Sequence, residues 1–395
     1  MKSDLDHVLF ISAYLLCLVD ALIFGYATFS AVPYAGAISW ALRVCAATLV
    51  LIKLVYDRNY TLELLISLAV VGIVFLVSFA KSGYSHVFYL LIILLGMRNI
   101  DEETVISMDF WMRVTVCLFI IICGLTGVIE NYITYRTNST VLRYSIGFNH
   151  PNTVASLVLS LILEDAWLNH RRATGFYAVV IWIIAAITFL ITANRTAVIM
   201  MAAFPVALLF AGDRGEADAR TKGGGIVCAG VFPVTAVFAY ATMVLCRKSP
   251  LFEMLDLALS NRFNNARVIC NAYGIPIFGQ QVALVSVKTA RLTNSSIALL
   301  DVAYLRMLIQ AGPLVLILLA ILYGSFMSKA WKKGKHLLIL ISCMFVVFGL
   351  CESGFNNVYM NFTLLFAAKE LFTLDDHEEE VTLCSKMQNG LPRSL

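Results

Sequence analysis

Runs of about 20 apolar residues recur along almost the whole of this chain and leave few folds open to it. A helix of that length spans the roughly 30 Å hydrocarbon core of a bilayer, and a helix satisfies its backbone hydrogen bonds within one segment. The sequence therefore predicts an all-α integral membrane protein with about twelve transmembrane helices. Eleven is the alternative, because one segment is short enough to be re-entrant. The predicted spans are 8–31, 35–55, 61–80, 84–98 (the short one), 107–131, 150–168, 175–193, 196–211, 225–245, 302–327, 336–352 and 357–372.

Composition agrees with a membrane-embedded chain. Of the 395 residues, 60% are hydrophobic and 14% are charged, whereas about 25% are charged in a typical soluble domain. We expect a polytopic membrane domain over residues 1–372, which contains a large external loop over 246–301, and a polar cytoplasmic tail over 373–395. The first apolar run is too long for the core of a signal peptide, so we expect it to remain as a helix.

Lys and Arg are distributed unevenly between alternate loops. If the N-terminus is cytoplasmic, the inner loops carry twelve of these residues and the short outer loops carry four. Positive residues concentrate in cytoplasmic loops, so both ends of the chain are predicted to be cytoplasmic. The inner set is Lys53, Arg58, Arg98, Arg171, Arg172, Arg214, Arg220, Lys222, Lys329, Lys332, Lys333 and Lys335, and the outer set is Lys81, Arg136, Arg143 and Arg195.

The predicted external loop, 246–301, carries six Lys and Arg against three Asp and Glu. Its first half groups apolar residues before arginines, which is typical of an amphipathic helix on a membrane surface. Cys246 and Cys270 are the cysteines that could meet outside the membrane, and the sequence leaves that disulfide open.

The stretch GFNHPN places polar residues and a proline directly before an apolar run. Asn149 or His150 can cap a helix whose first turn holds Pro151, and a helix N-terminus favours an anion. Arg143 adds a full positive charge close by. The alternative is an ordinary helix cap at the membrane interface.

A second motif, ITANRTAVI, interrupts two apolar runs with Asn194 and Arg195. A guanidinium matches the geometry of a pair of phosphate oxygens, so Arg195 is a candidate for binding phosphate. The alternative is an arginine that only extends its side chain to the interface.

The loop motif LSNRFNNAR holds Arg262 and Arg267, five positions apart. On a helix these side chains diverge by about 140°, so they cannot form one face. We expect one to bind a ligand and the other to anchor the loop. A solvated surface helix is the alternative.

A fourth group lies where the external loop leads into a span. Asp301, Tyr304 and Arg306 are polar groups at this entry into the membrane, and Asp301 and Tyr304 form an i, i+3 pair on one predicted helix face. Gly312 with Pro313 is expected to kink that helix further along.

A fifth group lies near the end of the chain. Glu352 is predicted to end one span, and Asn356 or Asn357 to start the next. A carboxylate at the edge of the hydrocarbon is a functional candidate, against the alternative of a hydrated turn. Arg43 is predicted inside a span, and the sequence does not name its partner.

These five groups fall on the same predicted outer side of the membrane. The sequence has no P-loop, no GxGxxG and no cluster of metal-ligating residues. We therefore expect no metal and no cofactor, and nothing indicates a nucleic-acid partner.

The order of the motifs resembles that of the bacterial Wzy-type polysaccharide polymerases, within the O-antigen polymerase and ligase superfamily. GFNHPN is similar to the family's histidine motif, and TANRTA to its TSxRT turn. LSNRFNNA is similar to its LSGR loop, and LLDVAYLRMLIQAG to its LDNxYLxxLxxxG helix. The chain departs from these patterns at Ala193, at Asn194 and at the position after Asp301.

The resemblance implies a GT-C-like fold at the bacterial cytoplasmic membrane, with its active site facing outward. It implies metal-independent inverting glycosyl transfer between undecaprenyl-diphosphate-linked oligosaccharides, which serve as donor and acceptor, in the synthesis of O-antigen, capsule or another surface polysaccharide. Membrane lipid and a chain-length regulator would be further partners. The site residues that it implies are His150, Asn152, Arg195, Arg262, Asp301 and Tyr304.

For this reaction we expect two arginines, Arg195 and Arg262, to stabilise the leaving diphosphate, assisted by Arg143 or Arg267. We prefer His150 as general base, because the ordinary pKa of histidine lies closest to the working pH. Asp301 and Glu352 are the alternative bases, and Asp301 stays among the catalytic candidates. The candidates for substrate binding are Arg143, Asn149, Asn152, Asn194, Arg267, Tyr304, Glu352 and Asn357.

Two other functions stay open at this point. A twelve-helix secondary transporter fits the number of spans, but transporters place their sites near mid-membrane rather than at one face. A ligase that moves finished polysaccharide to another acceptor shares its donor and leaving group with a polymerase.

Overall fold

The computed structural model describes residues 2–57, 60–135, 141–170, 174–210, 222–285 and 299–372. Most of them are helical. Within these ranges, seven helices are long and apolar enough to cross a membrane, and three shorter apolar helices accompany them. The predicted class, an all-α protein embedded in a membrane, is confirmed. The count of twelve spans stays a prediction, and the tail over 373–395 lies outside the described residues.

The helices up to the external loop follow the predicted runs closely. In chain order they are α1 (Lys2–Val19, continued by a π-helix over Asp20–Tyr26), α2 (Ala35–Tyr56), α3 (Leu62–Ser82), α4 (Ser85–Gly96), α5 (Glu102–Leu125), α6 (Pro151–Leu168), α7 (Gly175–Thr192), α8 (Arg195–Phe210) and α9 (Lys222–Leu245). Two short antiparallel strands, β1 (Ile133–Tyr135) and β2 (Leu142–Tyr144), form a hairpin between α5 and α6.

The rest of the chain is less regular. The external loop contains α10 (Pro250–Ala258) and α11 (Arg262–Tyr273), and it is followed by α12 (Ala303–Arg306, continued by a π-helix over Met307–Ala311), α13 (Pro313–Lys332), α14 (His336–Phe348) and α15 (Thr363–Lys369). The expected kink in span 302–327 is a full break at Gly312, whose φ of 93° ends the π-helix before Pro313 starts α13.

The predicted last span, a continuous helix over 357–372, is wrong. After α14 the chain has a 3-10 turn at Ser353–Asn356, and α15 then covers only seven residues. We call residues 351–362 the buried segment, because all but Ser353 are buried. Buried irregular backbone is stable only where protein groups satisfy its hydrogen bonds. Here the side-chain amide of Asn361 donates to the Phe355 carbonyl at 3.0 Å.

The external loop is held against this irregular region by two glycines. A Cβ atom on Gly279 would lie 1.9 Å from the Gln310 carbonyl oxygen, and one on Gly312 would lie 2.4 Å from the Gly279 nitrogen. Both residues also have positive φ, so no other residue type fits this contact without strain. The backbone N–H of Gln280 then donates to the backbone carbonyl of Gln310 at 3.0 Å.

Helix α10 is amphipathic, as the loop sequence predicts. Leu251, Met254 and Leu257, three positions apart, are 65%, 69% and 60% exposed, while Asp256 is buried. Cys246 and Cys270 are free thiols in the structure, so the disulfide that the sequence left open is not formed there.

Ion pairs and backbone contacts distinguish two ends of the bundle. The hairpin end is where β1, β2, the start of α6 and the end of α1 meet, since Asn149 N donates to the Tyr26 carbonyl at 2.7 Å. The opposite end is marked by Asp57, which pairs with Lys53 at 3.7 Å and with Arg98 at 3.4 Å.

Candidate functional site

Glu352 is the centre of a polar cluster at the hairpin end. Its Oε1 atom accepts from Arg262 Nη2 at 3.0 Å, from Asn152 Nδ2 at 3.1 Å and from Asn194 Nδ2 at 3.4 Å. These residues come from four of the five sequence motifs. We call these four residues, with Arg143, the Glu352 cluster.

Asn152 is positioned by the start of α6. His150 is the N-cap, with φ −152° and ψ 143°, and its Nδ1 atom accepts from the Asn152 backbone N–H at 3.1 Å. Pro151 occupies the first helical position, as the sequence predicts. The side chain of Asn152 is thereby directed towards Glu352.

Asn194 is positioned by the tight turn between α7 and α8. Ala193 takes the left-handed conformation at φ 47°, and Asn194 Oδ1 then accepts from the Ala197 backbone N–H at 3.0 Å. The Nδ2 atom of the same side chain donates to Glu352, so the hydrogen bond to Ala197 also holds Asn194 in position to bond the carboxylate.

Arg262 is positioned by the start of α11. Asp256, buried on α10, accepts from the backbone N–H of Phe263 at 2.8 Å and from that of Asn264 at 3.2 Å. Sequence analysis assigned Asp256 no role, although it lies six positions before Arg262. Arg267 instead donates to Asn264 at 3.2 Å on its own helix, so only one of the two loop arginines reaches the cluster.

Arg143 brings a second guanidinium to the cluster. Its Nη2 atom donates to Asn152 Oδ1, and its Nε atom donates to the Thr192 carbonyl at 2.6 Å. Asn152 thus links Arg143 to Glu352, and two cations flank one carboxylate.

The carboxylate keeps one oxygen open. No described residue donates a hydrogen bond to Glu352 Oε2, and this atom is not among the buried polar atoms that lack a partner. The side chain of Glu352 is 10% exposed and that of Arg262 is 13% exposed. An accessible oxygen at a nearly buried carboxylate can accept a proton or a hydrogen bond from a ligand.

Burial shifts the pKa of the ionisable groups here. Desolvation raises the pKa of the Glu352 carboxyl, and the positive charge of Arg262 opposes that shift. For Arg262 itself, desolvation lowers the pKa, but the charges of Glu352 and Asp301 outweigh it and the pKa is raised. The guanidinium therefore stays charged, while the carboxyl is easier to protonate than an exposed glutamate.

His150 does not have the geometry of a general base. Burial and the charge of Arg143 lower its pKa to about 4, so the ring is neutral near pH 7. Since Nδ1 accepts from the Asn152 N–H, the ring proton lies on Nε2, and that atom donates rather than accepts. In this structure His150 caps α6, and its part as a base stays a prediction.

Three other predicted residues lie outside the cluster or at its edge. Arg195 is exposed at the start of α8, and no ion pair or hydrogen bond joins it to the described residues. Asn149 is exposed and donates to the Gly25 carbonyl at 3.1 Å. Asp301 is half-buried and precedes α12, so it is not a helical i, i+3 partner of Tyr304.

Tyr304 is a core residue, and its predicted part in substrate binding is not supported by its position. It is 1% exposed, its hydroxyl donates to the Val346 carbonyl at 2.6 Å, and its ring packs against Phe232 and Phe355. Asn357 is also fully buried, and its side-chain amide donates to the Tyr26 hydroxyl.

A second polar group lies beside the first and is centred on Arg306, which sequence analysis places at the start of a span but assigns no role. Its Nη1 atom donates to Ser353 Oγ at 3.2 Å, its Nε atom donates to Gln310 at 2.8 Å, and its guanidinium lies 4.8 Å from the centre of the Tyr84 ring. Asn356 donates to the Tyr84 hydroxyl at 3.0 Å. We call these five residues the Arg306 cluster. Its one sequence signal was an arginine at a predicted membrane boundary.

Arg43 finds its partner in Asp20. Its Nε atom lies 2.7 Å from Asp20 Oδ2, and Tyr89 donates to the same oxygen at 2.7 Å. The sequence could not name this pair, because the two residues are on different helices.

A cleft of about 590 Å³ lies between α5, α6 and α7, and its lining is mostly apolar. It opens beside Asn169 and Tyr177, at the far end of α6 from Asn152. Its lining along α6 runs from Val158 to Asn169, so the cleft lies beyond the first turn of the helix, which carries Asn152. Within the described ranges, no three His, Cys, Asp or Glu side chains are grouped as a metal site requires.

The fold and the site define a class: a helical, membrane-embedded protein with a nearly buried arginine–glutamate site at one end. Comparisons with protein-family models, with curated proteins and with solved structures find no match for this chain.

Proposed function

We propose that this protein polymerises undecaprenyl-diphosphate-linked oligosaccharide repeat units by inverting, metal-independent glycosyl transfer in a bacterial cytoplasmic membrane. The observation that carries the proposal is the convergence of Arg143, Asn152, Asn194 and Arg262 on Glu352, at one end of a membrane-embedded bundle. Two guanidiniums beside one carboxylate suit a reaction that releases a diphosphate while a hydroxyl loses its proton.

In the proposed reaction, Arg262 and Arg143 bind the diphosphate of the donor. The oxygen of an acceptor hydroxyl forms a bond to the anomeric carbon, the bond from that carbon to the diphosphate oxygen breaks, and its electron pair leaves with the diphosphate. The hydroxyl proton passes to Glu352 Oε2, the oxygen that carries no hydrogen bond from the described residues. Once Glu352 is protonated, it no longer neutralises Arg262, whose charge then stabilises the leaving diphosphate.

The hairpin end is the proposed outer face. The opposite end collects Lys53, Arg98, Lys329 and Lys369 in ion pairs with acids, and positive residues favour the cytoplasmic side. The GT-C-like architecture and the partnership with a chain-length regulator belong to the same proposal.

One observation favours a transporter as the second candidate. The buried segment is irregular backbone enclosed by protein, and transporters use interrupted helices of this kind for their sites. The first experiment therefore has to separate the two functions.

The test is to delete the gene and compare surface and lipid-linked glycans on a gel with strains that carry the wild type, Arg262→Ala or Arg267→Ala. We expect deletion to collapse the ladder to single repeat units. The wild type and Arg267→Ala should restore the ladder, while Arg262→Ala should not, although its protein reaches the membrane in equal amount. Arg267 is the matched control because it lies on the same helix and its side chain bonds to Asn264 rather than to Glu352.

Other outcomes redirect the assignment. Long chains that stay on the lipid carrier would indicate a ligase, and an unchanged ladder would favour the transporter. A ladder restored by Arg262→Ala would remove the assigned role of that arginine.

A further inference from the structure

Arg306 is a half-buried arginine that forms no ion pair with a carboxylate of the described residues, unlike four other arginines of the bundle. Arg43 pairs with Asp20, Arg98 with Asp57, Arg113 with Asp109 and Glu164, and Arg262 with Glu352. Arg306 contacts neutral groups, namely Gln310, Ser353 and the ring of Tyr84, and no carboxylate of the described residues forms an ion pair with it.

The charge of Arg306 is also available. Its Nη2 atom makes no hydrogen bond to a described residue, and it is not among the buried polar atoms that lack a partner, so this atom faces solvent. A partly buried cation without a counter-charge favours an anion as its ligand.

Arg306 and Arg262 lie on opposite sides of the buried segment. Glu352 has an extended backbone, with φ −136° and ψ 142°, and successive side chains of an extended chain point to opposite sides. Glu352 accordingly reaches Arg262, while Ser353 reaches Arg306. Glu352 and Ser353, adjacent in the chain, thus each contact a different arginine, Arg262 and Arg306.

The residues beside Arg306 are held in place by hydrogen bonds. Tyr84 bonds to His86 Nδ1 at 2.9 Å, and Tyr26 bonds to His86 Nε2 at 3.2 Å. Each of the two π-helices among the described residues contributes one residue to this region: the first ends at Tyr26, and the second contains Gln310. Such π-helical turns occur frequently at functional sites.

We propose that Arg306 and Ser353 form a second phosphate-binding site, which holds the lipid diphosphate of the acceptor while Arg262 and Arg143 hold that of the donor. This inference rests on the proposed polymerase function, in which both substrates carry a diphosphate. Arg306 provides the charge and Ser353 a hydroxyl donor. A phospholipid headgroup offers the same phosphate chemistry, so the test must separate the two sources.

The test measures how many molecules of undecaprenyl diphosphate bind to the purified full-length protein in phosphatidylcholine nanodiscs, by native mass spectrometry. We expect two per chain for the wild type and one for Arg306→Gln. The affinity of the second site should fall roughly tenfold to hundredfold, as for the loss of a hydrogen bond to a charged group. Arg306→Lys keeps the charge and should retain a weakened second site.

Arg247→Gln is the matched control. Arg247 lies on the external loop, it is 51% exposed and it pairs with Glu253 at 3.6 Å, so this variant should bind two molecules. Thermal melting of each variant separates loss of a site from loss of the fold. If Arg306→Gln melts as the wild type does and still binds two molecules, the inference is overturned. If Arg306→Gln does not fold, Arg306→Lys is used instead. An affinity of Arg306→Lys for the second molecule equal to that of the wild type would overturn the inference.

A second arm adds phosphatidylglycerol to the nanodiscs. If the second undecaprenyl diphosphate is retained, the site is one for the carrier lipid. Its displacement by phosphatidylglycerol would overturn the acceptor assignment in favour of a phospholipid headgroup. Binding is measured without glycan transfer, so the two experiments can disagree. If the wild-type protein binds two molecules but deletion of the gene leaves the glycan ladder unchanged, the proposed polymerase function is overturned. If deletion of the gene collapses the ladder but Arg306→Gln still binds two molecules of undecaprenyl diphosphate, only this inference is overturned.

Discussion

Two arginine–carboxylate groups in this protein share their chemistry and differ in exposure. In the interior, Arg113 lies between Asp109 and Glu164, it donates to Ser160 at 2.5 Å, and all of these side chains are fully buried. At the hairpin end, the Arg262 and Glu352 side chains are 13% and 10% exposed, and Glu352 keeps one oxygen open. The sealed group has no path to a ligand and joins α5 to α6, whereas the open group can exchange its partner for a substrate.

The difference shows that buried charge alone does not identify a functional site. A single guanidinium cannot neutralise two carboxylates, so the interior triad depends on remaining closed and paired. In the Glu352 cluster, amides from two helix starts share the carboxylate with Arg262. Loss of one partner there leaves others in place. The comparison therefore predicts that mutations should affect stability in the interior and activity at the hairpin end.

The largest effect should come from Arg113→Ala. Removing the cation leaves two buried carboxyls without a counter-charge, which typically destabilises a protein by about 3–5 kcal/mol. We expect little folded protein in the membrane and a strongly lowered melting temperature in detergent. Arg262→Ala, measured beside it, should melt near the wild type. A normal melting curve for Arg113→Ala would remove the structural role from the triad.

Glu352→Gln should keep the fold and abolish polymer growth, because an amide cannot take up the hydroxyl proton. In the wild type, transfer should fall as the pH falls, since a base works only when it is deprotonated and burial raises the pKa of this carboxyl. The loss should begin at a higher pH than for an exposed glutamate, whose pKa is about 4.3. The measurement is the initial rate of transfer in nanodiscs as a function of pH. A rate that is flat down to pH 4 would exclude Glu352 as base.

The smallest effect should come from His150. If it only caps α6, His150→Asn should retain most activity, because asparagine is a good N-cap. His150→Ala should lower the stability by about 1 kcal/mol and reduce activity modestly through Asn152. Transfer rates and melting temperatures of the two variants test this. Complete loss of transfer in a stable His150→Asn protein would restore the catalytic role that the sequence first suggested.

The parts of this structure that were predicted correctly depend on local patterns. Apolar runs define the helices up to α9, His150 is one of the two residues expected to cap α6, and the break at Gly312 follows from glycine before proline. These features are set by residues within a few positions of one another, so a sequence reading can find them.

The errors concern contacts between distant segments. The apolar residues of 357–372 read as a helix, but hydropathy cannot distinguish lipid-facing residues from residues buried in protein. Tyr304 seemed to be at the surface of a site because it follows Asp301 in the chain, yet its ring packs in the core. Arg306 is named by the sequence only as a polar group at the start of a span, because only the folded chain shows that no carboxylate of the described residues pairs with it.

By itself, the sequence determined that the chain is a helical membrane protein with polar groups between its apolar runs, because hydrophobicity and helix capping act over a few residues. Tertiary structure alone decided which polar groups meet. Asn152 lies 200 residues from Glu352 and Arg262 lies 90 from it, and their side chains bond to one oxygen atom. Such partners are selected by the packing of separate helices, which satisfies buried charges across distances in the chain that no local pattern encodes.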